Sequence, residues 1–105
     1  MEQPNLNYID QLCGEDDVFK QKMIDIIKKE LPLEIAAYHE SIESRDYKLA
    51  AEGVHKLKHK ISILGLEKSY HVAHEYEDHL LNGKLESEVE FESILRSMQS
   101  FINDL

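Results

Sequence analysis

Apolar residues recur at intervals of three and four along most of the chain, the period of an amphipathic α-helix. The pattern forms four long segments, of which the first begins near Asp16 and ends near Ser44. Its apolar positions are Val18, Phe19, Met23, Ile26, Ile27, Leu31, Ile35, Tyr38 and Ile42. Pro32 falls inside this segment. Because proline has no amide hydrogen and clashes with the carbonyl four residues earlier, we expect the helix to end or kink there, although proline also suits the first turn of a new helix.

The other three long segments are bounded by local start and stop signals. Asp46 is a suitable N-cap for the second, and Gly65 ends it. The third runs from about Glu67 to Leu81, and the fourth follows Ser87. The apolar positions of the second segment are Tyr47, Ala50, Val54, Leu57, Ile61 and Leu64; those of the third are Tyr70, Ala73, Tyr76 and Leu80; those of the fourth are Phe91, Ile94, Leu95, Met98, Ile102 and Leu105.

A further short helix is predicted at residues 6–12, where it can cover one end of the other helices. Short connections make consecutive helices antiparallel neighbours. The pattern therefore predicts an all-α fold, an up-and-down antiparallel four-helix bundle with a short N-terminal helix, in a single domain over residues 1–105.

Composition and charge narrow the classes of function. The 105 residues suffice for one domain, and 42% of them are hydrophobic, enough for a core. The net charge of -9, from 12 Lys and Arg against 21 Asp and Glu, disfavours binding to nucleic acid or to an anionic membrane. A single cysteine, Cys13, excludes an internal disulfide, and no apolar run approaches the roughly 18 residues of a membrane span. We expect a cytoplasmic protein.

One stretch of the second long helix reverses the prevailing negative charge. Three lysines and two histidines fall within six residues there, namely His55, Lys56, Lys58, His59 and Lys60. At 100° per residue His55 lies far from the apolar stripe, toward solvent, and His59 lies one turn above it. Lys58 is expected on the neighbouring surface.

An exposed imidazole on a rigid helix is a good nucleophile, because one ring nitrogen has a free lone pair near pH 7. Phosphorylation of His55 would place about two negative charges beside Lys58, which can donate a charge-assisted hydrogen bond to them. Exposed pairs contribute only about 0 to 1 kcal/mol, so such a bond matters most inside a docked complex that excludes water. The alternative interpretation is that this basic helix face is solvated and has no specific function.

At these residues the sequence resembles the histidine-containing phosphotransfer (HPt) domains of two-component signalling. The matching stretch runs from His55 through Leu57-Lys58 to the closing Leu64-Gly65. The likeness extends to four further features, namely Pro32, Asp46 followed by the aromatic Tyr47, Ala73, and Tyr76-Glu77.

The resemblance implies a phosphocarrier rather than an enzyme. His55 would be the phosphoacceptor, through Nε2, and Lys58 would stabilise the phosphoryl group. Lys56, His59 and Ser62 would flank the site, with His59 standing where the family usually has a small residue. The implied partners are response-regulator receiver domains and a hybrid histidine kinase; Mg²⁺ is expected on the receiver, no cofactor on this chain, and the protein is expected to be a monomer.

Apolar residues near the basic stretch are candidates for docking a receiver domain, whose phosphorylation pocket is acidic by resemblance. We predict that Ile9, Leu12 and Ile63 form this surface.

Two alternatives from other classes stay open. One is an adaptor that binds receivers but has lost transfer because of His59. The other is a metal-binding helical protein, since His71 with Glu75 and His74 with Asp78 have the four-residue spacing of metal ligands. Because these side chains are expected to point outward, we predict no metal site.

Overall fold

The computed structural model describes residues 2–105, and within that range it contains helices and no strand. The five helices are α1 (Asn7–Cys13), α2 (Asp17–Glu43), α3 (Tyr47–Ile63), α4 (Glu67–Leu81) and α5 (Glu88–Asn103). The all-α prediction is confirmed. None of these helices is both long enough and apolar enough to cross a membrane.

The four long helices form a closed ring in which α3 packs between α2 and α4, and α5 closes the ring against α4 and α2. Contacts between α2 and α3 run in opposite directions along the two helices: Gly53 meets Tyr38, and Lys60, further along α3, meets Glu34, earlier in α2. The helices are therefore antiparallel, as the short connections predict. Helix α1 packs on α2 at one end of the bundle.

The segment before α1 is tied to the turn between α3 and α4. The amide of Asn5 donates to the carbonyl of Leu64 at 2.8 Å. The Glu2 carboxylate accepts from the amides of Lys68 and Ser69, each at 3.0 Å, so it caps the start of α4 from a distant part of the chain. Gly65 faces this segment so closely that an added Cβ would lie 2.6 Å from the Asn5 side chain.

The predicted helix boundaries are confirmed in atomic detail. The Asp46 carboxylate accepts from the amide of Leu49 at 3.1 Å, and Asp16 caps α2 in the same way. After α3, Gly65 has φ +76° and the amide of Leu66 donates back to Ile61, the Schellman arrangement. The same arrangement ends α2, where Arg45 takes the left-handed conformation with φ +58°.

Helix α2 runs without interruption through Pro32, so the expected end at that residue is wrong. Pro32 removes one intrahelical hydrogen bond, that to the carbonyl of Lys28. Both residues are exposed, so water can satisfy the free carbonyl. Leu31 and Tyr38, on either side of the proline, are fully buried, and their packing keeps both halves of α2 against the bundle.

The first turns of α2 also depart from the predicted apolar stripe. Val18, Phe19 and Ile26 are exposed, whereas Ile24, which the stripe did not include, is buried. The pairing of Lys60 with residues 30 and 34 of α2 places the end of α3 level with about residue 27 of α2. The preceding turns of α2 extend beyond α3 and have α1 beside them, so the stripe there has less to pack against.

Three aromatic rings fill the centre of the bundle. Tyr38, Tyr76 and Phe91 are each fully buried and meet at centroid distances of 5.1 to 6.1 Å. The two tyrosine hydroxyls share a hydrogen bond of 2.5 Å, so neither is left without a partner in the core. Burial raises the pKa of Tyr76 to about 12, and burial together with the hydrogen bond to Tyr76 raises the pKa of Tyr38.

A buried lysine joins α2 to α3. Lys60 lies with Nζ 3.0 Å from Glu34 Oε2 and 3.1 Å from Glu30 Oε1. Burial acts to lower the pKa of Lys60, but the two carboxylates outweigh it and the pKa is raised. The lysine therefore stays charged and holds the two helices in register.

The tyrosine pair predicts a loss of stability at high pH. The pKa values of Tyr38 and Tyr76 in the folded protein lie above the value of about 10 for an unfolded tyrosine. The stability that the two hydroxyls contribute is therefore complete below about pH 10 and is lost as pH rises toward their folded pKa values. We expect the free energy of unfolding to fall by roughly 1 to 3 kcal/mol between about pH 10 and about pH 12, measured by urea denaturation.

The Tyr38→Phe/Tyr76→Phe variant should lose most of this slope and keep the smaller part that comes from Lys60, Lys20 and Cys13, whose pKa values are also raised. Tyr8→Phe, at an exposed position, is the control and should keep the full slope. An unchanged slope in the double variant would contradict the assignment.

Candidate functional site

His55 lies in the middle of α3 with 58% of its side chain exposed. Val54 and Leu57, the residues of the apolar stripe on either side of it, are fully buried, so the imidazole is turned away from the core by the helical period alone. Hydrogen-bonded turns continue on both sides of the residue, so the backbone that carries the ring is rigid.

The ring of His55 is oriented by Glu77 of α4. His55 Nδ1 lies 3.2 Å from Glu77 Oε2, and Nε2 has no hydrogen-bond partner among residues 2–105. An ionised carboxylate can only accept a hydrogen bond. In this contact Nδ1 therefore carries the hydrogen and donates the hydrogen bond to Glu77. The lone pair of the neutral ring is then on Nε2, the nitrogen that faces solvent.

Lys58 is not on the open surface, contrary to the expectation from sequence. Only 7% of its side chain is exposed, and Nζ lies 2.8 Å from Glu77 Oε1. The same Nζ lies 3.2 Å from His74 Nδ1 and 5.3 Å from the centre of the Tyr70 ring. The three-residue step from His55 turns Lys58 back toward α4, where its aliphatic stem is buried and its charge is paired.

Glu77 therefore joins the two residues that the sequence singled out. One of its oxygens contacts His55 and the other contacts Lys58, and the carboxylate is only 19% exposed. The Lys58 ammonium, 2.8 Å away, thus gives the largely buried carboxylate a partner of opposite charge.

The predicted basic surface is smaller than the sequence indicates. Lys58 is paired toward α4, and Lys60 is paired toward Glu30 and Glu34 of α2. Of the three lysines in the stretch, Lys56 alone is exposed. The surface around His55 therefore carries one full positive charge and several imidazoles.

The flanking residues His59 and Ser62 are exposed on the same side of α3 as His55. The His59 ring meets the His55 ring edge to face, with centroids 5.5 Å apart. His59 and Ser62 also line a shallow pocket of about 320 Å³ against His71 and Tyr70 of α4. His59 thus contacts the phosphoacceptor candidate and leaves most of it exposed to water.

The three predicted docking residues have different surroundings. Ile9 is fully buried in the core, so its place on a docking surface is wrong; it is the residue by which α1 is attached to the bundle. Leu12, on the outer side of the same helix, is 55% exposed, and Ile63 is partly buried. Two of the three residues remain available to a partner.

Among residues 2–105 no group of three or more His, Cys, Asp and Glu side chains is arranged to hold a metal ion. His74, which the four-residue spacing pairs with Asp78, instead accepts a hydrogen bond from Lys58 through Nδ1. A nitrogen lone pair used in this way is not free to bind a metal.

The family model of the Hpt domain matches residues 22–104, most of the chain. The chain belongs to the Hpt domain family. Hpt domains carry phosphoryl groups in phosphorelay signalling; they are phosphocarriers rather than enzymes with their own catalytic site, and they interact with receiver domains. No curated protein and no solved structure matches the chain.

The match to the Hpt domain includes α3 and α4 in full, and therefore His55, Lys58 and Glu77. Sequence reasoning did not find the role of Glu77. It is 22 residues from His55 and 19 from Lys58, so no spacing within one helix connects them. The one local signal in the sequence is that Glu77 directly follows Tyr76, a residue of the apolar stripe. A carboxylate next to a buried residue lies at the edge of a helix interface, and here that interface is the one with α3.

We predict that Glu77 determines which nitrogen of His55 carries the proton. In the unchanged protein the ¹⁵N shifts of the ring should report a protonated Nδ1 and an unprotonated Nε2 near neutral pH. In Glu77→Ala the Nδ1–H form should lose population, because the acceptor that favours it is gone.

Lys58→Met, which leaves Glu77 in place, should largely preserve the Nδ1–H form. The double variant Glu77→Ala/Lys58→Met should lose that form as Glu77→Ala does, and it does so without leaving a buried lysine unpaired. The internal reference is His79, whose Nδ1 is held at 2.9 Å by the carbonyl of Glu86. Equal tautomer populations at His55 with and without Glu77 would refute the assignment.

Proposed function

We propose that this Hpt domain is a cytoplasmic phosphocarrier that accepts a phosphoryl group from the aspartyl phosphate of one receiver domain and passes it to the aspartate of another. A hybrid histidine kinase is the expected source of the first aspartyl phosphate. The observation that supports this proposal most directly is the pairing of a solvent-facing Nε2 on His55 with an Nδ1 held by Glu77.

The transfer step balances without a further reactant. The Nε2 lone pair of His55 attacks phosphorus, the N–P bond forms, and the P–O bond to the receiver aspartate breaks with both electrons leaving on the carboxylate. The imidazole, which began neutral with a proton on Nδ1, becomes a phosphoimidazolium. The reverse step, on a second receiver, restores the neutral ring.

Glu77 serves both directions of this transfer. It holds the proton on Nδ1, so the lone pair is on the nitrogen that a partner can reach. When Nε2 attacks, positive charge develops on the ring, and the carboxylate already in contact with Nδ1 stabilises it. The positive charge of the phosphoimidazolium also makes the ring a good leaving group when the phosphoryl group is transferred to the second receiver. Glu77 is thus a positioning residue that acts through His55.

Lys58 enters the proposal mainly through Glu77. Its Nζ is paired at 2.8 Å and buried, so direct contact with a phosphoryl group on Nε2 requires it to leave or share this partner. The exposed Lys56 and His59 stand closer to solvent and are proposed to meet the phosphoryl group first. Mg²⁺ and the acceptor aspartate are proposed to come from the receiver.

A receiver is proposed to dock across α3 and the outer side of α1. Ile63 follows His55 by eight residues, about 12 Å along α3, and α1 lies at that end of the bundle. Leu12 presents an exposed apolar side chain there. An apolar contact beside the reactive imidazole would help to exclude water from the transfer step.

The adaptor alternative depends on His59 blocking His55. The edge-to-face contact, with centroids 5.5 Å apart, still leaves 58% of the His55 side chain exposed, which favours transfer. Binding of receivers without any phosphohistidine would select the adaptor.

We expect His55→Gln to abolish labelling from a phosphorylated receiver, because it removes the attacking nitrogen. His59→Ala should keep the label, and its position beside His55 makes it the matched control. The measurement is transfer of radiolabelled phosphate, followed by an acid treatment that releases phosphohistidine. Label that survives in His55→Gln and is lost in His59→Ala would move the phosphoacceptor to His59.

We expect Leu12→Asp to weaken receiver binding about threefold to tenfold, because it places a charge in an apolar contact. Leu81→Asp is the control, since Leu81 is 59% exposed and lies on α4, a helix outside the proposed surface. Binding is measured by titration calorimetry with an unphosphorylated receiver. Equal affinities for the two variants would argue against a docking surface on α1.

A further inference from the structure

A groove between α2 and α3 lies beside the phosphoacceptor and shares one residue, Lys56, with its surroundings. It encloses about 450 Å³, within the range of about 300 to 1,000 Å³ typical of binding pockets. Its floor is apolar, with Leu33, Ala37, Leu49 and Gly53. Leu33 is 65% exposed and Leu49 50% exposed, so both large aliphatic side chains face solvent.

The rim of the groove is acidic. Four carboxylates line it, against a single lysine, Lys56; the carboxylates are Glu34, Glu40, Asp46 and Glu52. Glu34 is already paired with Lys60 through Oε2, but its Oε1 is buried without a hydrogen-bond partner. Glu40 and Glu52 are exposed and have no basic partner among residues 2–105.

The groove and the phosphoacceptor lie on different flanks of α3. Gly53, in the groove, packs on Tyr38 of α2, whereas His55 contacts Glu77 of α4. Gly53 is separated from His55 by about 200° around α3, whereas Glu52 and Lys56 on the rim lie about 60° and 100° from it. The floor of the groove therefore faces away from His55, and its rim borders the phosphoacceptor.

The shape of the groove fits an extended or helical segment. It runs along α2 from Leu33 to Ser44, about 17 Å or three helical turns. Beyond Leu33 the apolar line continues along α2 at seven-residue intervals through the exposed Ile26 and Phe19. A partner helix can thus find apolar contacts well past the groove itself.

We propose that this groove binds a basic amphipathic helix of a partner protein, with apolar side chains on the floor and Lys or Arg side chains on the rim. The charges of the rim decide among the possible occupants. A second copy of this chain would bring its own net charge of -9 against the carboxylates, and an anionic membrane would be repelled in the same way. A helix laid into an apolar groove with complementary charge at its edges is a common recognition mode.

The test uses a synthetic amphipathic peptide of about 14 residues, with leucines on one face and lysines and arginines on the other. Amide shifts of the full chain are followed during titration. We expect the changes to centre on the groove, at Leu33, Leu49 and Gly53, and the affinity to fall as salt is added. A matched peptide with glutamate in place of the basic residues should not bind.

Charge reversal separates the groove from general attraction to an acidic protein. Glu40→Lys/Glu52→Lys should weaken binding of the basic peptide at least about tenfold. Glu15→Lys/Glu90→Lys changes the net charge equally at exposed positions outside the groove and should leave the affinity within about twofold.

Three results would overturn the proposal. The first is equal weakening in the two double variants. The second is a set of shifts centred on His55 and His59. The third is a set of groove shifts that depends on protein concentration without peptide, which would show a second copy as the occupant. None of these measurements depends on phosphorylation of His55, so failure of the proposed phosphotransfer would be seen separately.

Discussion

The site depends on one carboxylate shared between two helices. Glu77 of α4 contacts His55 with one oxygen and Lys58 with the other, both residues of α3. A carboxylate that is largely buried is costly unless its charge is balanced, and Lys58 supplies the balance. The three residues are therefore a unit: Lys58 pairs with the carboxylate, the carboxylate accepts from Nδ1 of His55, and Nε2 is left as the proposed nucleophile. Removing Glu77 takes the shared partner from both His55 and Lys58.

This unit requires α3 and α4 to keep a constant register, and the bundle is built to provide it. The Tyr38–Tyr76 hydrogen bond and the contact of both rings with Phe91 join three helices through the centre. Lys60 holds α3 to α2 on the flank opposite to Glu77. Polar groups that need partners in the interior tolerate fewer alternative packings than an apolar core does, since each misalignment leaves a buried donor or acceptor unsatisfied. The interior thus maintains the geometry of the His55 imidazole, which lies on the surface.

Local signals in the sequence were sufficient for the elements but not for the site. Asp46 and Gly65 act through their own backbone neighbourhood, so their effect on the ends of α3 could be predicted from the residues alone. The exposure of His55 follows in the same way from the helical period. Pro32 was misjudged because its effect depends on competition between a lost hydrogen bond and the burial of Leu31 and Tyr38 in other parts of the fold.

The ion pairs of the lysines could not be predicted from the sequence, for a related reason. Lys58 and Lys60 stand two residues apart in one basic stretch, yet one turns to α4 and the other to α2, and each finds carboxylates there. A count of charges along the chain treats them as one patch. Which cations remain available to a partner is decided by the acidic residues on the neighbouring helices, and those are known only when the helices are in register.

The division of charge around α3 has a consequence for selectivity. Toward α4 the flank carries the imidazoles of His59 and His71, whereas toward α2 it carries the carboxylates of the groove. A partner with an acidic pocket is therefore not strongly attracted to the molecule as a whole, whose net charge is -9, and must gain its affinity from contacts close to His55. For a partner of this kind, long-range repulsion slows the encounter, so its affinity depends on the fit of short-range contacts.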